Sequence, residues 1–284
     1  MRYIFFGTPK FAAIILEKLI KAGHIPSAVI CNPDKPVGRK KIITAPAVKT
    51  RIMNYDLGIK NKIQILQPEN LKSYILNLKS FKPDFAIVAA YSQIIPKEIL
   101  KIPQLGTIGV HPSLLPKYRG ASPIQNAILN GDEITGTTLY LMDEKIDHGP
   151  ILAKRELEFP ISNFQFSKLY NALAKLSADL LIETLPNIEE KIKNATMQNE
   201  SQVTYTKKIA IKDAFIKPDD LEKAQNKGGK IALEIEQKIR ALNPEPGTFT
   251  FINNKRVKIL ESKIVEGKLK LTKIQVEGKK PTLI

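Results

Sequence analysis

Three short, continuous apolar runs early in the chain, residues 3–6, 27–31 and 84–90, constrain the fold more than any other feature. A strand with one wet face alternates polar and apolar residues. Runs without alternation belong to strands buried on both faces, as in parallel sheets covered by helices. Between the first two runs, residues 11–20 repeat apolar side chains at helical spacing, entered through Gly7-Thr8-Pro9. Strand, tight turn and helix open the chain, and the first half reads as an α/β, doubly wound sheet.

The second half has a different pattern. Ser162 and Asn163 precede Phe166, Leu169, Leu173, Leu176, Leu180 and Leu181, one face of a helix predicted to reach Thr184 before Pro186 stops it. Residues 187–206 are polar, with few core anchors, and read as a linker. Beyond it come a short amphipathic helix over 231–241, the turn Asn243-Pro-Glu-Pro-Gly247, and alternating strands over 248–252, 256–260 and 268–274. Asn253-Asn254 and Glu266-Gly267 mark the hairpin turns. The expected organisation is a domain over 1–186, a linker over 187–206, and a small antiparallel, OB-like β-barrel over 207–284.

With 284 residues, 43% of them apolar, the chain can bury a sizeable core. Its one cysteine, Cys31, excludes an internal disulfide framework and any zinc site built on several thiolates, which predicts a reducing, cytoplasmic setting. No apolar stretch approaches the roughly 18–20 residues needed to span a bilayer, so no membrane partner is expected. The formal net charge is +16, and residues 207–284 carry 18 Lys+Arg against 10 Asp+Glu, a net of +8. A small basic barrel can track a phosphate backbone; a solvated lysine surface with no ligand is the other reading of the same charge. Arg39, Lys40 and Lys41 form a second basic cluster in a loop between Pro36 and Pro46, where no helix face accounts for it.

Two residues are candidates for chemistry. His111 follows a β-type run over 107–110, and Asp147 lies in a Gly-bounded loop after another run over 137–141. An imidazole and a carboxylate at neighbouring strand ends occupy the place where open α/β sheets build active sites. His148, beside Asp147, competes for the role of the imidazole.

Several stretches, in order along nearly the whole chain, resemble the methionyl-tRNA formyltransferases. They are Phe6-Gly-Thr-Pro9, residues 32–39, Ala90-Tyr-Ser-Gln-Ile-Ile-Pro96, residues 111–120 and residues 142–149, then Thr204-Tyr-Thr-Lys-Lys-Ile209, Ile239-Arg-Ala-Leu-Asn-Pro244 and Glu277-Gly-Lys-Lys-Pro281. The motif Ser113-Leu-Leu-Pro116 is shared with formyltransferases in general. The resemblance implies a Rossmann-like catalytic domain and transfer of the formyl group of 10-formyltetrahydrofolate to the α-amino group of methionine on initiator tRNA, by a cytoplasmic monomer that needs no metal. It implies catalytic roles for His111 and Asp147, folate contacts from Ser113, Leu114, Leu115 and Pro116, and tRNA contacts from Arg39, Lys40 and Lys41.

One position departs from that pattern. Two residues before the histidine the family carries an asparagine whose amide helps hold the oxyanion, whereas this chain has Gly109, which offers a backbone N–H and space for a water. Two alternatives therefore stand beside the first reading: a folate-dependent formyltransferase acting on an amino-sugar nucleotide, and a catalytically weak folate- or tRNA-binding relative.

Overall fold

A computed structural model describes residues 1–38, 40–158 and 164–284. Arg39 and the helix-entry pair Ser162 and Asn163 lie outside the described residues. The chain forms two compact units. The first comprises Met1–Arg119, Gly136–Leu157 and Asn171–Thr204; the second comprises Gly120–Thr135, Glu158–Tyr170 and Tyr205–Ile284.

The first unit is built on a seven-stranded sheet in the order Ile151–Glu158, Ile134–Leu141, Thr107–His111, Phe85–Ala89, Tyr3–Gly7, Ala28–Ile30, Gln64–Leu66. Tyr3–Gly7 pairs in parallel with both Ala28–Ile30 and Phe85–Ala89, as the apolar runs predict. Every residue of these three strands is buried. The helix Lys10–Lys21 turns Phe11, Ala12, Ile15, Leu16 and Leu19 inward and leaves Lys21 outside, the period expected of a helix laid on a sheet. Cys31 is a buried free thiol, and burial pushes its pKa up to about 12, so it behaves as a small apolar side chain.

The strand Ile134–Leu141 starts three residues before the run read from sequence and lies antiparallel to Thr107–His111, with Ile108 opposite Leu141 and His111 opposite Thr138. The loop after it therefore begins beside the start of Thr107–His111, where the Met142 N–H donates to the Thr107 carbonyl at 2.8 Å. The two loops expected at neighbouring strand ends leave from opposite ends instead. Periodicity gives a strand's faces but not its direction.

The second unit carries a four-stranded antiparallel sheet, with Phe249–Ile252, Lys255–Val265, Lys268–Val276 and Thr282–Leu283 in sequential order. Turns at Asn253-Asn254 and Glu266-Gly267 fall where the sequence places them, with positive φ at all four residues. The helix Lys230–Leu242 lays Ala232, Ile235 and Ile239 against Ile259, Leu269 and Leu271. Residues 120–135, read from sequence as part of the first domain, group with this unit because their helix Pro123–Leu129 packs against Lys230–Leu242.

Residues 187–206 are more structured than a linker. They hold the helix Ile188–Lys193, whose Ile188 is buried, a bridge between Thr196 and Ile151, and the buried Gln198. One polar side chain with three well-placed partners anchors this segment in a way hydropathy does not register. Where the sequence reads as a loop between Pro36 and Pro46, Lys35–Val37 pairs with Ile42–Thr44 as a β-hairpin, and Lys40 and Lys41 are exposed. No helix among the described residues is long and apolar enough to cross a membrane.

Candidate active site

Alternation along a strand puts Gly109 and His111 on one face of Thr107–His111. His111 is 6% exposed. Its Nε2 lies 2.8 Å from the Tyr118 carbonyl, which can only accept, so Nε2 carries a proton and donates it there. That fixes the ring and leaves Nδ1 facing Asp147 Oδ2 at 3.5 Å. The gap is longer than an ordinary direct hydrogen bond.

Asp147 reaches this position although its loop begins at the far end of the histidine's strand. Residues 142–149 fold back, and Gly149 closes the excursion: a Cβ there would stand 1.7 Å from the Leu141 carbonyl oxygen. Asp147 itself has φ of 48°, a conformation that costs a non-glycine residue about 1–3 kcal/mol. The surroundings hold it. Gln198 Nε2 donates to the carbonyls of Asp147 and Gly149, each at 2.9 Å, and Gln198 Oε1 accepts from Arg119 Nε at 2.9 Å. Arg119, fully buried, also pairs with Glu200 at 2.7 Å. The guanidinium, hydrogen-bonded to Glu200 and attracting its charge, holds that carboxyl below the usual range.

The space beside Gly109 is not open to a water. Tyr140, opposite it in register, fills that space: a Cβ on Gly109 would lie 2.4 Å from Tyr140 Cε1 and Cζ and 2.7 Å from its hydroxyl oxygen. The Tyr140 hydroxyl donates to Asp147 Oδ1 at 2.6 Å. Burial first, and then the Asp147 charge, push the Tyr140 phenol well above its ordinary range, so it stays a donor.

Sequence-derived candidates thus divide into two groups. His111, Asp147 and Gly109 come together, while Lys40 and Lys41 sit on the exposed hairpin turn and Arg39 is outside the described residues. In the loop following His111, Ser113 and Leu115 are buried, and Thr138 pins the loop by donating to the Ser113 carbonyl and accepting from the Leu115 N–H. Leu114 and Pro116 keep accessible surface. His148 is engaged elsewhere, with Nδ1 donating to Asp143 Oδ2 at 2.6 Å and Nε2 3.6 Å from Glu200 Oε1. Tyr140, Gln198 and Arg119 were not singled out from sequence. Gln198 lies 51 residues from Asp147 in a polar stretch, and no local pattern points to it.

A buried imidazole facing a partly buried carboxylate on an open α/β sheet is an arrangement suited to proton transfer. Comparison with known proteins narrows this. The formyl transferase family matches residues 1–185, and its C-terminal domain family matches residues 229–282. Curated relatives named methionyl-tRNA formyltransferase include those of Agathobacter rectalis, 39% identical over 94% of this chain and 81% of the relative, and Caldicellulosiruptor saccharolyticus, 40% identical over the same shares. This chain belongs to the formyl transferase family, in its methionyl-tRNA formyltransferase branch. The fold is shared with the methionyl-tRNA formyltransferase of Clostridium thermocellum, at a TM-score of 0.59 and 21% identity over 97% of this chain and 98% of that one. An N-formyltransferase from Helicobacter canadensis, described in complex with folinic acid and dTDP-3-aminofucose, shares it too, at a TM-score of 0.61 and 21% identity over 93% of this chain and 87% of that one.

Proposed function

We propose that this chain transfers the formyl group of 10-formyltetrahydrofolate to the α-amino group of methionyl initiator tRNA, as a cytoplasmic monomer, with His111 and Asp147 as its catalytic pair. The observation that carries the site assignment is the approach of Nδ1 of the buried His111 to Oδ2 of the half-buried Asp147. The amine attacks the formyl carbon, a C–N bond forms, and the carbonyl oxygen becomes an oxyanion. When Nδ1 of His111 carries the ring's second proton, it hydrogen-bonds to that oxyanion and then transfers the proton to folate N10 as the oxyanion collapses to a carbonyl and the C–N10 bond breaks. Asp147 takes the proton the attacking amine must lose. One proton enters and one leaves, so the pair as a whole ends as it began once the two exchange a proton. Leu114 and Pro116 offer the folate apolar surface beside the histidine.

The acceptor is supported by charge as well as by kinship. On the C-terminal sheet Lys263 and Lys270 stand directly opposite each other, both exposed. Like charges so placed repel unless an anion lies over them, and a phosphate chain supplies one. Arg39, Lys40 and Lys41 are assigned to the same substrate. The amino-sugar alternative has no use for these lysines, and the curated relatives at 39–40% identity are named methionyl-tRNA formyltransferase. Purified protein given 10-formyltetrahydrofolate should formylate methionyl-tRNA and leave an amino-sugar nucleotide unmodified; the opposite preference refutes the reading. Light scattering at assay concentration should give the mass of one chain.

A further inference from the structure

We propose that Tyr140 is a positioning residue for this reaction, its phenol orienting the Asp147 carboxylate from the space that a side chain at position 109 would need. The inference rests on the formylation reading above. Gly109 and Tyr140 face each other across two paired strands, and the ring occupies the volume a side chain on residue 109 would need. Cβ contacts of 2.4 Å do not occur in folded proteins, and Tyr140 is 3% exposed, so its ring has nowhere to retreat. A side chain at 109 and a tyrosine at 140 exclude one another.

The phenol is more than filler. Its hydroxyl binds Asp147 Oδ1 at 2.6 Å, which turns Oδ2 toward His111. The carboxylate belongs to a residue with a left-handed backbone, whose carbonyl is held separately by Gln198. Main chain and side chain of Asp147 thus have different anchors, and Tyr140 is the one that sets which oxygen meets the imidazole. The hydroxyl lies 2.7 Å from where a Cβ on residue 109 would be and 2.6 Å from Asp147, so an asparagine amide at 109 reaches the same carboxylate once the ring is removed.

The test compares steady-state formylation of methionyl-tRNA by the unaltered protein, Tyr140→Phe, Tyr140→Leu, Gly109→Asn and the double variant Gly109→Asn/Tyr140→Leu. Losing a hydrogen bond to a charged group lowers kcat of Tyr140→Phe by about 10- to 100-fold, with KM for both substrates within about twofold. Gly109→Asn alone loses at least as much, because ring and amide collide. The double variant regains kcat over Tyr140→Leu. Calorimetric tetrahydrofolate binding by Tyr140→Phe, unchanged within about twofold, shows that the fold is intact. An unchanged kcat in Tyr140→Phe, or a loss confined to KM, overturns the inference, and a double variant no faster than Tyr140→Leu overturns the exchange between the two positions. No turnover in the unaltered protein refutes the formylation reading itself; turnover with an unaffected Tyr140→Phe refutes this inference alone.

Discussion

Replacing Gln198 by methionine tests whether the loop bearing Asp147 is held from outside. The side chain is 7% exposed, and methionine keeps its approximate volume, so packing changes little. Three hydrogen bonds of 2.9 Å disappear: two to the carbonyls of Asp147 and Gly149, and one from the fully buried Arg119. A neutral bond of this kind contributes about 0.5–1.5 kcal/mol and one to a charged group about 1.5–3. Arg119 keeps Glu200, so the lower half of the summed range applies, about 3 kcal/mol. For a chain of this size that lowers Tm by roughly 6–12 °C. Activity should fall as well. With its carbonyl released, Asp147 can leave the left-handed conformation and recover the roughly 1–3 kcal/mol stored there, which depletes the competent state about 5- to 150-fold. Thermal unfolding and single-turnover formylation read the two effects. A Tm within about 1 °C of the unaltered protein refutes the energetic reasoning, and a lowered Tm with full kcat refutes the link between this anchor and the chemistry.

Removing either group proposed as catalytic should be costlier than removing an anchor: His111→Ala and Asp147→Asn each lower kcat by about 10²- to 10⁴-fold in the same assay, with tetrahydrofolate binding retained. The logarithm of tRNA affinity should fall linearly with the logarithm of salt concentration, and the triple replacement Arg39→Ala, Lys40→Ala, Lys41→Ala should flatten that line by roughly 0.7–0.9 per lost phosphate contact, as measured by filter binding across a salt series. An unchanged slope removes the hairpin turn from the interface. The Glu200 carboxyl is held below its ordinary value chiefly by its hydrogen bond to Arg119. A depressed carboxyl contributes stability that is present above its unfolded pKa and lost as pH falls through the folded value, so the window lies below about pH 4.3. Unfolding followed from neutral pH into that window should show a smaller acid loss for Glu200→Gln than for the unaltered protein.

The architecture is visible in the sequence wherever one element determines its own pattern. Tyr3–Gly7, Ala28–Ile30 and Phe85–Ala89 are buried on both faces, and their sequences carry no polar interruption. The helix Lys230–Leu242 and the hairpin turns around it are equally local. His111 and Asp147 stand out in the sequence through the β-type runs before them and the motifs they sit in, although the antiparallel strands bring them together by another route than neighbouring strand ends. What escaped depends on pairs. Tyr140 is an unremarkable strand residue until Gly109 is seen opposite it, and strand direction, which sets that register, leaves no mark on periodicity. The segment 187–206 looks unanchored because, beyond the buried Ile188, its principal anchor is polar: Gln198 works through three hydrogen bonds that join positions 119, 147, 149 and 198. The hairpin over 35–44 escaped because both strands expose all their residues, leaving no alternation to read.

The clasp that Gln198 places on the Asp147 loop also bears on the order of events during synthesis. By the time the ribosome has added residue 185, the imidazole, the carboxylate and the strands beneath them are all made, yet the loop still has no partner for its two carbonyls. Some thirteen further residues must emerge before the strained backbone at Asp147 is locked. A nascent chain therefore holds the imidazole and the carboxylate well before the geometry between them is fixed, and that geometry matures only with a later stretch of polypeptide.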